Sequence, residues 1–271
     1  PFGIFPIRRG RHSGLIFPTF GVSRVEGRHI RGLGYFWAPN DYMDAKGIVD
    51  YFENSGFLMR GETRYAQRYK LGGNLSGSFT RRNLFSGQKQ RSWDLQVDHQ
   101  QEISPTMRFT VNGKFASSGQ FYRDYTLNRT QRTQRELISN ATIYKNWDNN
   151  KNSLTINMSR REDLEVGSVR ETLPQVSFSR SAPVYLFKSD DSRRRSRDPQ
   201  KWYETINFRY SGSLQSQRNK TRFNKDQEFN KQEQLATQQR FSFVAPQTLF
   251  KYVKFNPALN YKEEWHDREI A

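Results

Sequence analysis

Strict alternation of apolar and polar side chains recurs along this 271-residue chain and most narrows how it can fold. In WDLQVDHQ (residues 93–100), Trp93, Leu95 and Val97 are apolar, and the residues between them are charged or amide. MRFTVNGKF (107–115), SLTINMS (153–159) and ETINFRY (204–210) repeat this period of two. Such a period places successive side chains on opposite faces of a β-strand. The pattern predicts strands with one apolar face and one wet, charged face.

The alternation predicts thirteen strands, many of them about 8–12 residues long against about 5–6 for ordinary strands. Tilted strands that cross a bilayer need about 9–11 residues. The predicted strands are 13–20, 30–38, 43–52, 57–66, 69–81, 92–101, 107–116, 136–147, 153–162, 174–179, 202–211, 236–244 and 253–264.

The segments between these strands mostly alternate between long and short, as outer-membrane barrels alternate long outer loops with short periplasmic turns. The longer set is 21–29, 82–91, 117–135, 163–173 and 212–235. The shorter set is 39–42, 67–68, 102–106 and 148–152, with 245–252 intermediate. Segments 53–56 and 180–201 break the alternation. The short segments contain turn-forming clusters, namely Pro39-Asn40-Asp41, Ser104-Pro105 and Asp148-Asn149-Asn150.

The composition suits a membrane barrel better than a soluble domain. Apolar residues make up only 34% of the chain, whereas aromatic residues reach 14%, which is unlike a disordered chain. A membrane barrel needs little internal core, since its outer face meets lipid. An aromatic belt is expected at the strand ends; its candidates are Tyr42, Tyr69, Trp147, Trp202, Tyr252 and Trp265. There are no cysteines, and no apolar run is long enough for a transmembrane helix.

The net charge of +17 has two interpretations. A basic protein can bind nucleic acid, or it can face an anionic lipid or saccharide. Apart from RRRSR at 193–197, which we interpret as a solvated loop, the basic residues are spread along the chain. A soluble basic β protein that binds nucleic acid is therefore the weaker alternative.

The sequence predicts no enzyme, cofactor or metal site. It contains no P-loop, no HExxH and no glycine-rich loop followed by a helical pattern. Acidic neighbours such as Glu162-Asp163 and Glu263-Glu264 would point to opposite faces of a strand, which makes them poor catalytic pairs.

The N-terminal block resembles the LptD family of outer-membrane lipopolysaccharide-assembly proteins. The resemblance rests on FPIRRGRHSGLIFPTFG (5–21), YFWAPNDYMD (35–44) and GFLMRGETRY (56–65). Two later stretches also look like family barrel strands, TLPQVSFSRS (172–181) and APQTLFKYVKFNPALNYKEEW (245–265). The similarity is strongest over 1–80 and 172–265 and weak over 117–135 and 212–235.

The resemblance implies an all-β fold: an antiparallel transmembrane β-barrel, here about 12–14 strands of a larger barrel, preceded by the end of a periplasmic β-jellyroll. We expect residues 1–12 to form the tail of the periplasmic domain and 13–271 the N-terminal part of the barrel. The start at Pro1 and the odd strand count suggest a fragment.

The resemblance further implies a location in the bacterial outer membrane and insertion of lipopolysaccharide into the outer leaflet through a lateral gate. Another outer-membrane barrel, a porin or transporter, is the alternative. The implied partners are lipopolysaccharide, an LptE-like lipoprotein plug, LptA-like periplasmic bridge proteins and outer-membrane lipids, without nucleic acid. Pro6 and Pro18 are the lateral-gate candidates, because proline removes a ladder hydrogen bond. Alternation gives the lumen-facing candidates Asp94, Gln96, Asp98, Arg108, Asn112, Lys114, Asn157 and Arg209.

Overall fold

The computed structural model describes residues 11–24, 26–83, 89–117, 136–187, 201–222, 228–249 and 252–270. Pro6, one of the two gate candidates, lies outside the described residues, as do RRRSR at 193–197 and most of the predicted loops 117–135 and 180–201.

The described chain consists of β-strands joined by turns, with one 3₁₀ turn at Trp202–Thr205. The strands are β1 (Gly14–Ile16), β2 (Thr19–Ser23), β3 (Gly27–Asn40), β4 (Met43–Phe52), β5 (Gly56–Gln67), β6 (Leu71–Asn83), β7 (Lys89–Ser104), β8 (Met107–Ala116), β9 (Glu136–Trp147), β10 (Asn152–Asp163), β11 (Val169–Tyr185), β12 (Asn207–Thr221), β13 (Asn230–Val244), β14 (Gln247–Leu249), β15 (Val253–Phe255) and β16 (Ala258–Ile270). None of the described segments is a helix of the length and hydrophobicity that crossing a membrane demands.

The strand pairing is that of a meander, which confirms the all-β, antiparallel prediction. Hydrogen-bonded neighbours follow the order β1-β3-β4-β5-β6-β7-β8-β9-β10-β11-β12-β13-β16, and β2 also pairs with β3. The two short strands β14 and β15 pair with each other in a separate hairpin.

The strand predictions hold where alternation is strong and are wrong where it fades. The bounds of β4, β8 and β9 coincide with those predicted. The predicted loop 212–235 is mostly strand, since β12 continues to Thr221 and β13 begins at Asn230. Their paired backbones form a continuous ladder through side chains that are mostly polar on both faces, and this hides the period of two. The connectors predicted at 21–29 and 163–173 are also shorter in the structure, because the flanking strands extend into them. The contrast between long and short connectors is therefore weaker than predicted.

Two predicted strands are divided. The segment 13–20 becomes β1 and β2, separated at Phe17 and Pro18, and the segment 253–264 becomes β15 and the start of β16. The predicted strand 202–211 opens with the 3₁₀ turn before β12 begins.

The short turns use the residues that the sequence indicated. Asp148, Asn149 and Asn150 have φ angles of 56°, 52° and 65°, a left-handed conformation that Asn and Asp tolerate well. At the β3–β4 turn, the Asn40 side-chain oxygen accepts the Tyr42 backbone N–H at 2.9 Å.

The chain divides into two compact units. The first comprises Pro1–Ile103, Phe109–Ala141 and Arg160–Gly167, and the second comprises Ser104–Arg108, Thr142–Ser159 and Ser168–Ala271. In the first unit, the described residues of β1 and β2 pair only with β3, which makes these strands an edge. In the second unit, β16 pairs only with β13 and forms another edge.

The distribution of side chains inverts that of a soluble domain. Among the described residues, the buried apolar side chains are few: Leu58, Ala116 and Leu137. Large apolar residues instead lie exposed along the strands; Tyr35 and Trp37 are each 49% exposed. Most of the buried residues are polar, including Asp44 and Asp50. A soluble protein would bury its large apolar side chains, so this sheet suits an apolar surrounding on one face.

Candidate functional site

The strand register in the first unit gathers predicted polar residues on one face. Asp94, Gln96 and Asp98 of β7 lie opposite Ser78, Ser76 and Asn74 of β6. Gln96 donates a side-chain hydrogen bond to Asp98 at 2.8 Å. The three candidates therefore lie side by side on a polar face, whereas Trp93 and Leu95 lie on the opposite face, 44% and 37% exposed.

The same polar face continues across β6, β5 and β4 as a network of ion pairs that the sequence analysis missed. Asp44 accepts hydrogen bonds from Arg11 at 2.6 Å and from Arg64 at 3.0 Å. Arg60 pairs with Asp50 at 2.5 Å.

A further pair in this network joins Lys46 to Glu62 at 2.9 Å. Because β4 and β5 are antiparallel, DAKGIVD (44–50) meets RGETR (60–64) with its charges in complementary order. That complementarity is the sequence signal that could have revealed the network.

The candidates on β8 lie on the face opposite the ring of Phe109. The ring of Phe109 is 5.6 Å from that of His99, and a Cβ placed on Gly113 would lie 3.8 Å from the Cβ of Val97. Odd-numbered residues of β8 therefore share the apolar face, and alternation places Arg108, Asn112 and Lys114 on the other. The backbone of Lys114 is fixed by the Ser139 hydroxyl, which accepts from its N–H and donates to its carbonyl.

Asn157 and Arg209 belong to the second unit. The Asn157 amide donates to the Thr142 hydroxyl at 3.2 Å, so it is tied to its neighbouring strand. Arg209 lies opposite Ser242 on β13. Near it, Arg240 lies opposite both Ser211 of β12 and Lys262 of β16. Sequence reasoning missed Arg240 and Lys262.

A band of aromatic rings crosses the second unit on the face opposite Arg209. The centroid distances are 5.9 Å for Trp147–Phe178, 5.9 Å for Phe178–Tyr210, 5.1 Å for Tyr210–Phe241 and 6.1 Å for Phe241–Tyr261. All six predicted belt residues are exposed, from 38% for Trp147 to 90% for Tyr252. Of the six, only Trp147 belongs to this band, so most of its rings come from positions the belt prediction did not name.

Pro18 lies at an interruption of the first edge. Ile16 pairs with Gly34 and Thr19 with Arg31, so the same register continues on either side of Phe17 and Pro18 without strand pairing between them.

The neighbouring strand is irregular at the same level. Gly32 has a φ of +79°, a conformation that favours glycine, and β3 shifts its register with β4 between Ile30 and Leu33. The Gly32 N–H donates to the Asp50 carboxylate at 2.7 Å. The break beside Pro18 and the irregularity at Gly32 therefore lie opposite one another.

The arrangement places two different kinds of side chain on the two faces of the strands. Among the described residues, no group of three or more His, Cys, Asp or Glu side chains could hold a metal ion. The strands separate exposed apolar and aromatic side chains from ion pairs, amides and hydroxyls, which is how a wall between an apolar and an aqueous medium is built.

Comparison with known proteins gives a consistent result. The family model described as LptD protein matches residues 1–271. An LPS-assembly protein LptD from Alkalilimnicola ehrlichii is 28% identical over 150 residues, which cover 55% of this chain and 19% of the relative. A namesake from Idiomarina loihiensis is 29% identical over 184 residues, covering 66% of this chain and 23% of the relative. One from Bordetella avium is 32% identical over 127 residues, covering 46% and 15%. The matched regions span about a fifth of the length of these relatives.

Proposed function

Since this chain belongs to the LptD family, we propose that it forms part of a transmembrane β-barrel that inserts lipopolysaccharide into the outer leaflet of the bacterial outer membrane. The relatives it resembles are named for the assembly of this lipid. The role requires a wall and a passage for an amphipathic lipid, and it involves no reaction chemistry.

The observation that carries the proposal is the separation of the two strand faces. A barrel strand presents apolar residues to lipid and polar residues to its interior. In β7, exposed Trp93 and Leu95 alternate with Asp94 and Gln96, which lie beside the polar residues of β6. Under this proposal, the lumen-facing candidates line the route of the phosphorylated saccharide.

We place the lateral gate at the edge formed by β1 and β2. This edge pairs with β3 through two short segments, and the ladder is interrupted at Phe17 and Pro18. Proline has no backbone N–H to contribute to a ladder. Separating an edge strand that carries it from its neighbour therefore requires less free energy. Pro6 belongs to the same proposal from its sequence context alone.

The proposed partners are those of a barrel that works within a lipid-transfer chain. An LptE-like lipoprotein would occupy the interior, and LptA-like proteins would deliver lipid from the periplasm. The charged polar faces of the two units offer groups suited to a hydrated interior.

The assembly role is tested by depleting the full-length protein from its own bacterium and labelling surface lipopolysaccharide with an antibody. We expect surface lipopolysaccharide to fall as the protein is lost and the permeability of the outer membrane to rise. Normal surface lipopolysaccharide in depleted cells would show that the assembly role is wrong.

The gate is tested separately with Pro18→Ala in the full-length protein. Alanine allows the ladder between β1–β2 and β3 to close, and one added hydrogen bond of about 1 kcal/mol shifts the opening equilibrium about fivefold. We expect slower delivery of lipopolysaccharide to the surface, measured by pulse-labelling.

The matched control is Pro39→Ala, which changes a proline on β3 near its turn rather than on the edge. It should leave delivery unchanged. Equal delivery rates in the two variants would place the gate elsewhere without affecting the assembly role.

A further inference from the structure

Three basic residues converge on the polar face of β12, β13 and β16. One row across the strands consists of Ser179, Ser211, Arg240 and Lys262, and the adjacent row consists of Arg209, Ser242 and Asn260. Directly opposite side chains have Cβ atoms about 4.5–5.5 Å apart, and diagonal neighbours lie within reach of long side chains. Arg240 is thus directly opposite Lys262 and diagonal to Arg209.

This cluster has fewer carboxylates than cations. On β12 and β13, no Asp or Glu shares a face with Arg209 and Arg240, because Glu233 of β13 lies on the opposite face and pairs there with Arg218 at 2.6 Å. The described part of β16 supplies one acidic residue to this face, Glu264, which forms an ion pair with Lys262.

The polar face of the first unit balances its cations with carboxylates, unlike the cluster at Arg209, Arg240 and Lys262. On that face of the first unit, Lys46, Arg60 and Arg64 each pair with a carboxylate at 3.0 Å or less. Like charges placed directly opposite on neighbouring strands repel each other. Arg240 and Lys262 are such a pair, and Glu264 offsets only the charge of Lys262. A bound anion would remove this repulsion.

We propose that Arg209, Arg240 and Lys262 form a binding site for a phosphate group. Guanidinium groups present planar forks of N–H donors that match phosphate oxygens, and a lysine ammonium binds phosphate as a point charge. Ser211, Ser242 and Asn260 place hydroxyl and amide groups between the cations.

The space at the site suits a substituted phosphate. The residues of the two rows line an open surface groove of about 510 Å³, together with neighbouring residues of the same strands: Arg180, Tyr210, Phe241 and Tyr261. This volume falls within the range of small-molecule sites, about 300–1,000 Å³, and holds a phosphorylated sugar unit as well as a free ion. If the proposed function holds, the source of the phosphate is the phosphorylated saccharide of lipopolysaccharide.

The test measures binding to the full-length protein in detergent micelles by titration calorimetry. The probes are inorganic pyrophosphate, lipid A with its phosphates and lipid A from which the phosphates have been removed. The test variant is Arg209→Gln with Arg240→Gln.

The control variant is Lys220→Gln with Lys231→Gln. It removes two positive charges from the same two strands, at positions that oppose each other on the other face. Heat-modifiable gel mobility confirms that both variants are folded.

We expect the arginine variant to weaken the binding of both phosphorylated probes by about tenfold, as the loss of charge-assisted hydrogen bonds predicts. The lysine variant should bind like the unchanged protein, and dephosphorylated lipid A should bind all three alike. If the arginine variant loses only pyrophosphate binding, the site stands with free phosphate as its ligand. Lipopolysaccharide is then rejected as the source of the phosphate.

Equal affinities in the two variants, or equal losses, would overturn the proposal. So would a parallel loss of dephosphorylated lipid A binding in the arginine variant. These affinities are measured on purified protein, whereas the assembly role is tested by depletion in cells, so either can fail without the other.

Discussion

Asp44 is 2% exposed, yet its carboxylate accepts hydrogen bonds from Arg11 at 2.6 Å and Arg64 at 3.0 Å. Burying an ionised carboxylate is costly unless charged partners compensate. The two arginines supply that compensation and tie β4 to β5 and to the residues before β1. The carboxylate thus anchors the chain where it enters the sheet.

Replacing Asp44 with asparagine keeps the shape of the side chain but removes the charge that both arginines require. We expect a loss of about 1.5–3 kcal/mol, the range for a hydrogen bond to a charged group. The measurement is the temperature at which the folded band disappears on gels. Asp41→Asn makes the same change in the exposed β3–β4 turn. Matching midpoints for the two variants would contradict the role given to Asp44.

Single residues were predictable from the sequence only in part. Alternation correctly separated Asp94, Gln96 and Asp98 from their apolar neighbours, because a period of two fixes the face of each side chain. It could not pair Arg240 with Lys262, since the segments between β12, β13 and β16 contain no pattern that sets the register. Whether the predicted polar residues face a lumen stays a prediction.

At the scale of the strands, the aromatic band is the feature best suited to contact with the interface of a bilayer. Phe241 is central to this band: its ring centroid lies 5.1 Å from that of Tyr210 and 6.1 Å from that of Tyr261. The neighbouring rings of Phe208 and Phe243 are 5.6 Å apart. Aromatic side chains gather at the interfaces between bilayer and water. The band would therefore set the depth of β12, β13 and β16.

Phe241→Ala should destabilise the sheet by about 0.5–1.5 kcal/mol for each lost ring contact, beyond the loss of buried area. Urea unfolding in lipid vesicles, followed by tryptophan fluorescence, measures the change. Leu235→Ala, on the same face of β13 but outside the band, is the control. A larger loss in the leucine variant would contradict a stabilising role for the ring contacts.

Whole strands followed the sequence where alternation was continuous, as in β4, β8 and β9. The extension of β12 through residues 212–221 could not be predicted, because its ladder depends on backbone pairing with β13 rather than on an apolar face. The continuous strand predicted for 13–20 is wrong at Phe17 and Pro18, where proline removes a ladder hydrogen bond as the sequence indicated.

At the scale of the whole molecule, the central claim is that one face of these strands meets lipid and the other meets water. The small buried apolar core and the exposed Trp93 and Leu95 support it. The family relationship gives the claim its biological setting. A sheet with one face in lipid and the other in water requires that consecutive residues on a strand face different media.

The most direct test is spin-label accessibility along β7 in lipid bilayers. The chain contains no cysteine, so single cysteines placed from Trp93 to Asp98 in an otherwise cysteine-free full-length protein carry one label each. We predict that labels at 93, 95 and 97 collide mainly with oxygen dissolved in the lipid. Labels at 94, 96 and 98 should collide mainly with a water-soluble nickel complex. Uniform access of the nickel complex at all six positions would contradict the account.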